Sequence, residues 1–389
     1  MTNKEIESRY GLIGDELDLK ENVSLIINED GKILKVRYDN PKKNIEIGTD
    51  KHNLLMMPGF INSHTHIVDS FAKEMGFNKD LMEVVAPPNG LKHKLLKNTS
   101  REIKSIGIKN AISEMLTNGI TFFVDFRERD IEGIQFLKDS LKGLPLNYII
   151  LGRFTDAKEI EEIFKEGDGI GLSSYNDLSI YIKERLKYFK NIFKKPIACH
   201  DAEVERDKAL FEEIINDDLI DIIVHGTHYT KEDLELIKNK KISLILCPRS
   251  NGYFGVGFPP ITEIIRLQIP ISLGTDNIMI NNTDLFEELR YTYRILRVLG
   301  RNDENVKLDS KELLKMITIN AARNFNLEKN RGSISQGKVA DLLLIDLNDP
   351  NFYSFKVDSN NIFPLIVQRA KSENIKRVYI RGELVFERS

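Results

Sequence analysis

Pro58-Gly59-Phe60-Ile61-Asn62-Ser63-His64-Thr65-His66 is the stretch on which the reading of this chain turns. The apolar run Leu54-Leu55-Met56-Met57 leads into it, proline and glycine punctuate it, and two histidines close it at a spacing of two. Along a strand, residues i and i+2 share a face, so both imidazoles can address one ion. A single His-x-His pair fits two hydrogen-bonded core histidines equally well. The ends of the later strands therefore decide.

From Pro58 onward the apolar pattern alternates between short β-like runs and helix-length amphipathic runs. The predicted strands are Gly59–His66, Ile120–Phe126, Leu146–Phe154, Gly169–Ser173, Pro196–His200, Asp221–His225, Ile242–Cys247 and Ile271–Thr275. Among the helices, 101–118 carries an apolar stripe of Ile103, Ile108, Ile112, Met115 and Leu116. Thr230-Lys231-Glu232-Asp233 has the pattern of a capping box. Eight strands alternating with helices predict an α/β fold, a (β/α)8 TIM barrel over residues 58–330. A doubly wound open sheet is the alternative, but no Gly-rich phosphate fingerprint follows any strand.

Residues 1–57 read as a small β unit, with Glu29-Asp30-Gly31 turning a hairpin between Ser24–Ile27 and Ile33–Arg37. After the barrel, Asp309–Leu327 reads as one helix. Gly337–Asp346 and Arg377–Val385 then read as strands. Residues 331–389 are expected to complete the N-terminal unit as a β-sandwich built from both termini.

In a TIM barrel, chemistry gathers where strands end. Reading those ends gives His64 and His66, then His200 with Glu203 just beyond it, then His225, then Asp276. The chain has seven histidines, and four of them fall at these places, which scattered core histidines would not do. Imidazoles with a carboxylate suit one divalent metal ion, zinc first, with iron and manganese compatible. Glu203 lies three residues past His200, within reach of a metal-activated water and suited to acid/base work. The net charge of -3 gives no reason to expect nucleic acid or an anionic membrane. No apolar run is long enough to span a bilayer. Met1–Tyr10 lacks a signal-peptide core. The two cysteines, Cys199 and Cys247, read as packed thiols of a cytoplasmic protein. Lys, Glu and Ile are abundant, as in many thermophile proteins. The expected partner is a small-molecule substrate, and a homo-oligomer is left open.

Pro58–His66, Cys199-His200-Asp201-Ala202-Glu203, Val224-His225-Gly226-Thr227-His228, Pro248-Arg249-Ser250-Asn251 and Gly274-Thr275-Asp276 resemble the amidohydrolase superfamily. They are most similar to its branch of cytosine, guanine, S-adenosylhomocysteine and triazine deaminases and chlorohydrolases. The resemblance implies one ion held by His64, His66, His200 and Asp276. It implies that Glu203 shuttles protons, that His225 orients the water and that Asp276 also helps the leaving group. Two-metal members carry a lysine near the end of strand 4. Here that place reads Gly171-Leu172-Ser173-Ser174-Tyr175, so a mononuclear site is expected. The other zinc-deaminase signature, His-x-Glu with Pro-Cys-x-x-Cys, is absent.

For substrate contact, Arg249 could hold a carboxylate or phosphate, or could pair with a loop acid. Asn251, His228 and His93 are further candidates. Asn277 follows the aspartate where many relatives have glycine. The segment Asp69–His93, with Phe71, Lys73, Glu74, Pro87 and Pro88, reads as a lid or specificity loop or as a plain surface loop. His52 reads as structural. The function this implies is hydrolytic deamination of an exocyclic amine on a nitrogen heterocycle (purine, pyrimidine, pterin or related). One alternative is cleavage of an amide, substituted amine or halide with the same metal water. Another is a non-catalytic metal-bound ligand-binding protein.

Overall fold

The backbone passes from one sheet into another at Pro58-Gly59, and among the described residues these two sheets hold the named strands. The computed structural model describes residues 3–41, 53–176, 178–301, 309–354 and 357–388; His52 lies outside them.

The first sheet draws on both termini. Its strands are β1 (Lys4–Ile13), β2 (Asp18–Ile27), β3 (Ile33–Asp39) and β4 (Leu54–Pro58) from the start of the chain. The barrel strands that follow are β5 (Phe60–His66), β6 (Ile120–Arg127), β7 (Asn147–Gly152), β8 (Gly169–Leu172), β9 (Ile197–Asp201), β10 (Ile222–His225), β11 (Ser243–Leu246), β12 (Ile271–Leu273) and β13 (Asp276–Asn277). Strands β14 (Leu342–Asp346), β15 (Ile375–Ile380) and β16 (Glu383–Glu387) return to the first sheet, in the order β16-β15-β14-β4-β1-β2-β3. That sheet bends over a core including Ile6, Leu25, Met56, Leu342 and Leu344. The hairpin expected at Gly31 forms, with φ of 75° there. Arg377–Val385 is not one strand. Arg381 and Gly382 are both left-handed and turn it into the β15–β16 hairpin.

Strands β5 to β12 pair in parallel in chain order, and β13 pairs in parallel with β5, so the sheet returns to its first strand. The eighth barrel strand is thus split: β12 pairs with β11, Gly274 and Thr275 intervene, and β13 pairs with β5. Asn62 clasps this seam from inside β5. Its amide donates to Thr275 Oγ1 at 2.8 Å, and its carbonyl accepts from Thr275 N at 3.1 Å.

Barrel strands are buried on both faces, as parallel strands are when helices cover them. Ile61, Phe122, Val124, Leu151, Ala198, Val224 and Ile245 fill the inside, and Ala321, Ala322 and Phe325 plug one end. Phe60, Phe123, Ile150, Ile197, Ile223 and Leu244 belong instead to the layer shared with the helices. The helix predicted over 101–118 runs Arg101–Thr117, but Ile103 is 52% exposed. Ile108, Ile112 and Met115 carry its burial. Thr230 caps the helix Lys231–Lys240 with the expected capping box. The single helix expected over Asp309–Leu327 is two, Ser310–Met316 and Ile319–Asn324. At the break, the Thr318 hydroxyl donates to Leu314 O at 2.7 Å and Ile61 N captures Ile317 O at 2.8 Å, so one local side-chain bond and one tertiary bond take the place of the helical ladder. Among the described residues, no helix is long and apolar enough to cross a membrane.

Candidate metal centre and catalytic cavity

A register shift in β5 between Asn62 and Thr65 changes which residues face inward. Ile61 faces the barrel interior, and beyond the shift both His64 and His66 aim at the same cluster. His200 arrives near the end of β9, His225 at the end of β10 and Asp276 at the start of β13. His225 and Asp276 have φ of 76° and 62°, left-handed values that non-glycine residues adopt at a cost of about 1–3 kcal/mol. Such turns swing side chains over the barrel end, where alternation would have pointed them elsewhere. Gly274 permits the approach of β12 to β5: a Cβ there would stand 2.5 Å from His64 Cβ and 2.7 Å from its backbone nitrogen.

The donor atoms converge. His64 Nε2 is 3.2 Å from Asp276 Oδ1 and 3.3 Å from His200 Nε2, and His66 Nε2 is 3.5 Å from Asp276 Oδ1. Tetrahedral ligands with bonds of about 2.0–2.1 Å stand about 3.3 Å apart, so the cluster has the dimensions of a first coordination shell. Proton placement agrees. His200 Nδ1 donates to Leu172 O at 2.8 Å and His66 Nδ1 to Phe126 O at 3.1 Å, which leaves a lone pair on each Nε2. Burial lowers the pKa of His64, His66 and His200, that of His66 to about 3 with the Lys92 charge adding to the effect. These rings are neutral at pH 7 and available as ligands. Burial would raise the Asp276 carboxyl, yet its bond to His64 and the surrounding imidazoles hold it well below the ordinary carboxylate range. Ser250 Oγ donates to Asp276 Oδ2 at 2.6 Å, and Phe126 packs edge-on beside His64 and His200. The donor set fits a divalent metal ion.

A cavity of about 420 Å3 opens on this cluster, within the usual size range of ligand pockets. Glu203 lines it, with Oε2 3.5 Å from His225 Nε2. Burial pushes the Glu203 carboxyl up to about 7; His225 opposes that shift and Asp276 reinforces it. Asn251 Nδ2 donates to His225 Nδ1 at 3.4 Å, which puts the His225 proton on Nε2, toward Glu203.

The other candidates divide. His93 lines the cavity, its Nε2 3.1 Å from Val85 O. His228 does not line it, and its ring bonds Val256 O at 2.8 Å. Arg249 is also outside the cavity. Its guanidinium bonds Asp284 O at 3.1 Å and Asn282 Oδ1 at 3.0 Å and pairs with Glu287 at 3.3 Å, so it takes the loop-acid arrangement. Segment 69–93 supplies Leu81, Met82, Val85, Pro87, Lys92 and His93 to the cavity wall. Lys73 instead pairs with Glu114 at the surface. Cys199 and Cys247 are buried free thiols whose pKa burial raises well above the ordinary value.

Sequence reasoning passed over Lys92, Glu128 and Arg153, all of which line the cavity. Glu128 follows the end of β6 and Arg153 the end of β7. Applying the strand-end rule to every residue type, and not to histidine and aspartate alone, would have found both. Arg153 Nε is buried without a hydrogen-bond partner. It stands where the cavity meets a second hollow of about 690 Å3 that also touches Pro87, His93, Glu128 and Ser173.

With this geometry in view, residues 55–385 match the model of the amidohydrolase family. The chain belongs to that family. It is 31% identical to a putative aminohydrolase of Methanothermobacter thermautotrophicus over 98% of each chain. It is 25% identical to a 5-methylthioadenosine/S-adenosylhomocysteine deaminase of Thermoanaerobacter pseudethanolicus, over 96% of this chain and 91% of the relative. Among solved structures it resembles an adenosine deaminase from Xanthomonas campestris with bound zinc. That likeness has a TM-score of 0.73 and 18% identity, over 98% of this chain and 92% of that one.

Proposed function

We propose that this member of the amidohydrolase family is a metal-dependent hydrolytic deaminase. Its substrate is an amino-substituted nitrogen heterocycle, a 6-aminopurine in our reading, carried on a larger substituent with an anionic end. The observation that carries this is the placement of Glu203 and His225 across one cavity from His64, His66, His200 and Asp276. The purine follows the deaminase relatives, and the substituent follows the adjoining second hollow, which shares Arg153 with the cavity. One ion held by His64, His66, His200 and Asp276, zinc in our reading with iron or manganese fitting the same donors, would lower the pKa of a water in the cavity toward neutrality.

The protein's own groups do the rest. Glu203 accepts a proton from the water and returns it to the ring nitrogen beside the amine. A carboxyl with a pKa near 7 can do both at neutral pH. His225 presents Nε2–H to the oxygen that adds to the ring carbon. As the carbon–nitrogen bond breaks, Asp276 takes the proton from the hydroxyl now on the ring carbon and passes it to the departing amine, so that a carbonyl remains and ammonia leaves; Ser250 keeps its Oδ2 in place. In this reading the described residues of 1–57 and 331–389 serve as the supporting β unit and those of 58–330 as the catalytic barrel. The two free, buried cysteines suit a cytoplasmic setting.

The test is ammonia release by the metal-loaded protein against amino-purines, their nucleosides and thioether nucleosides, amino-pyrimidines, pterins and triazines. Glu203→Gln runs beside the wild type and should lose about 10²–10⁴-fold in kcat while still binding metal. Wild-type protein that binds metal but releases no ammonia from any of these would overturn the deaminase reading. Turnover of amides or halides instead would favour the sister hydrolase chemistry.

A further inference from the structure

Lys92 is 3% exposed, an uncommon state for lysine, which is almost never fully buried unless paired. It sits on the helix Leu91–Asn98 that follows the cavity-lining segment. Its Nζ lies 2.7 Å from Glu128 Oε1, 2.9 Å from Asn277 Oδ1 and 3.7 Å from Asp69 Oδ2. Two of these oxygens belong to groups that stand directly behind different members of the donor cluster. Glu128 Oε1 is 3.0 Å from His66 Nδ1, beside the bond that nitrogen makes to Phe126 O. Asn277 Nδ2 donates to Asp276 Oδ1 at 3.1 Å, and this is the carboxylate oxygen nearest both His64 and His66.

We propose that Lys92 is a positioning residue whose ammonium fixes Glu128 and Asn277, and through them the orientations of His66 and Asp276. The proposal rests on the reading of these residues as metal ligands. One ammonium thus braces ligands from β5 and β13 across the seam where the barrel closes. Glu128 is the stiffer arm, because Arg127 holds its other carboxylate oxygen and pairs with Asp125 at 3.3 Å. Asn277 is the other arm, and its side chain is possible here because the aspartate is not followed by glycine. Since Lys92 arrives from the helix that follows the cavity wall, ordering of that wall and retention of the ion become linked.

The test measures metal affinity by chelator competition, with zinc as the probe, on full-length wild type, Lys92→Met, Glu128→Gln and the double variant. Outer partners of metal ligands typically contribute about 10–100-fold in affinity, and each single variant should lose that much. The double variant should lose less than the product of the two, because Lys92 acts through Glu128. A role in substrate binding alone would raise KM and leave zinc affinity unchanged. A role in folding alone would lower Tm and leave the affinity of the folded fraction unchanged. Either result overturns the proposal. Should Lys92→Met fail to fold, Lys92→Arg and Glu128→Gln carry the same comparison. Wild type that does not retain zinc would refute the metal-centre reading itself, whereas wild-type affinity in every variant would refute only the role of Lys92.

Discussion

Gly274→Ala is the sharpest test of how the barrel seam builds the site. The substitution adds one methyl group, and the backbone conformation at this glycine lies outside the left-handed region, so the effect is steric. The new Cβ would meet His64 Cβ at 2.5 Å, its nitrogen at 2.7 Å and its carbonyl oxygen at 2.9 Å. Ordinary contact begins at 3.4 Å, so the two strands must part by 0.9 Å at a point where backbone faces backbone. Overpacking of this kind costs about 1–3 kcal/mol of stability. The larger effect falls on the site, because His64 and Asp276, now 3.2 Å apart, sit on the two strands being forced apart. A displacement of about 1 Å in a catalytic constellation can cost about 100-fold in rate. We expect Gly274→Ala to fold, to bind zinc more weakly in chelator competition and to lose about 100-fold in ammonia release. A variant with wild-type zinc affinity and wild-type kcat would show that the seam does not set the donor geometry.

Three further outcomes follow from named groups. Arg153→Met should raise KM about tenfold or more for a substrate with a carboxylate on its substituent and leave the uncharged analogue within about twofold, since a hydrogen bond to a charged group contributes about 1.5–3 kcal/mol; equal effects on both would remove Arg153 from substrate recognition. Burial pushes the Glu288 carboxyl up to about 7 from 4.5 despite Arg249. The folded protein therefore holds that proton more tightly than the unfolded chain, and the associated stability is present below pH 4.5 and is lost as pH rises to about 7. At about 1.4 kcal/mol per unit this amounts to about 3 kcal/mol, so urea unfolding of Glu288→Gln should fall by about that much less than wild type between pH 4.5 and 7.5; parallel curves would refute it. Asn62→Ala leaves Thr275 N and its hydroxyl without their partner at the seam and should cost about 1–3 kcal/mol in chemical denaturation, whereas a change below about 0.5 kcal/mol would show that the clasp is dispensable.

The sequence by itself determined the barrel and which side chains gather at one end of it, because both are written in local pattern. Strands buried on two faces read as short apolar runs, and the helices between them carry stripes of their own. His64, His66, His200, His225 and Asp276 stand where those runs stop, and the architecture maps strand ends onto one face. The tertiary structure decided what no local pattern encodes. Arg249 pairs with acids and carbonyls that come 33 to 39 residues later in the chain, so its side chain is spent outside the cavity. Lys92, Glu128 and Asn277 come from three separate parts of the chain and meet only because β13 closes against β5. The break at Thr318 arises because a barrel strand takes the Ile317 carbonyl, a bond between residues 256 positions apart that helix propensity cannot register. Local hydrophobic period is a short-range property, whereas the pairing of buried charges depends on which distant residues share the same dry space, and only the closed barrel fixes that.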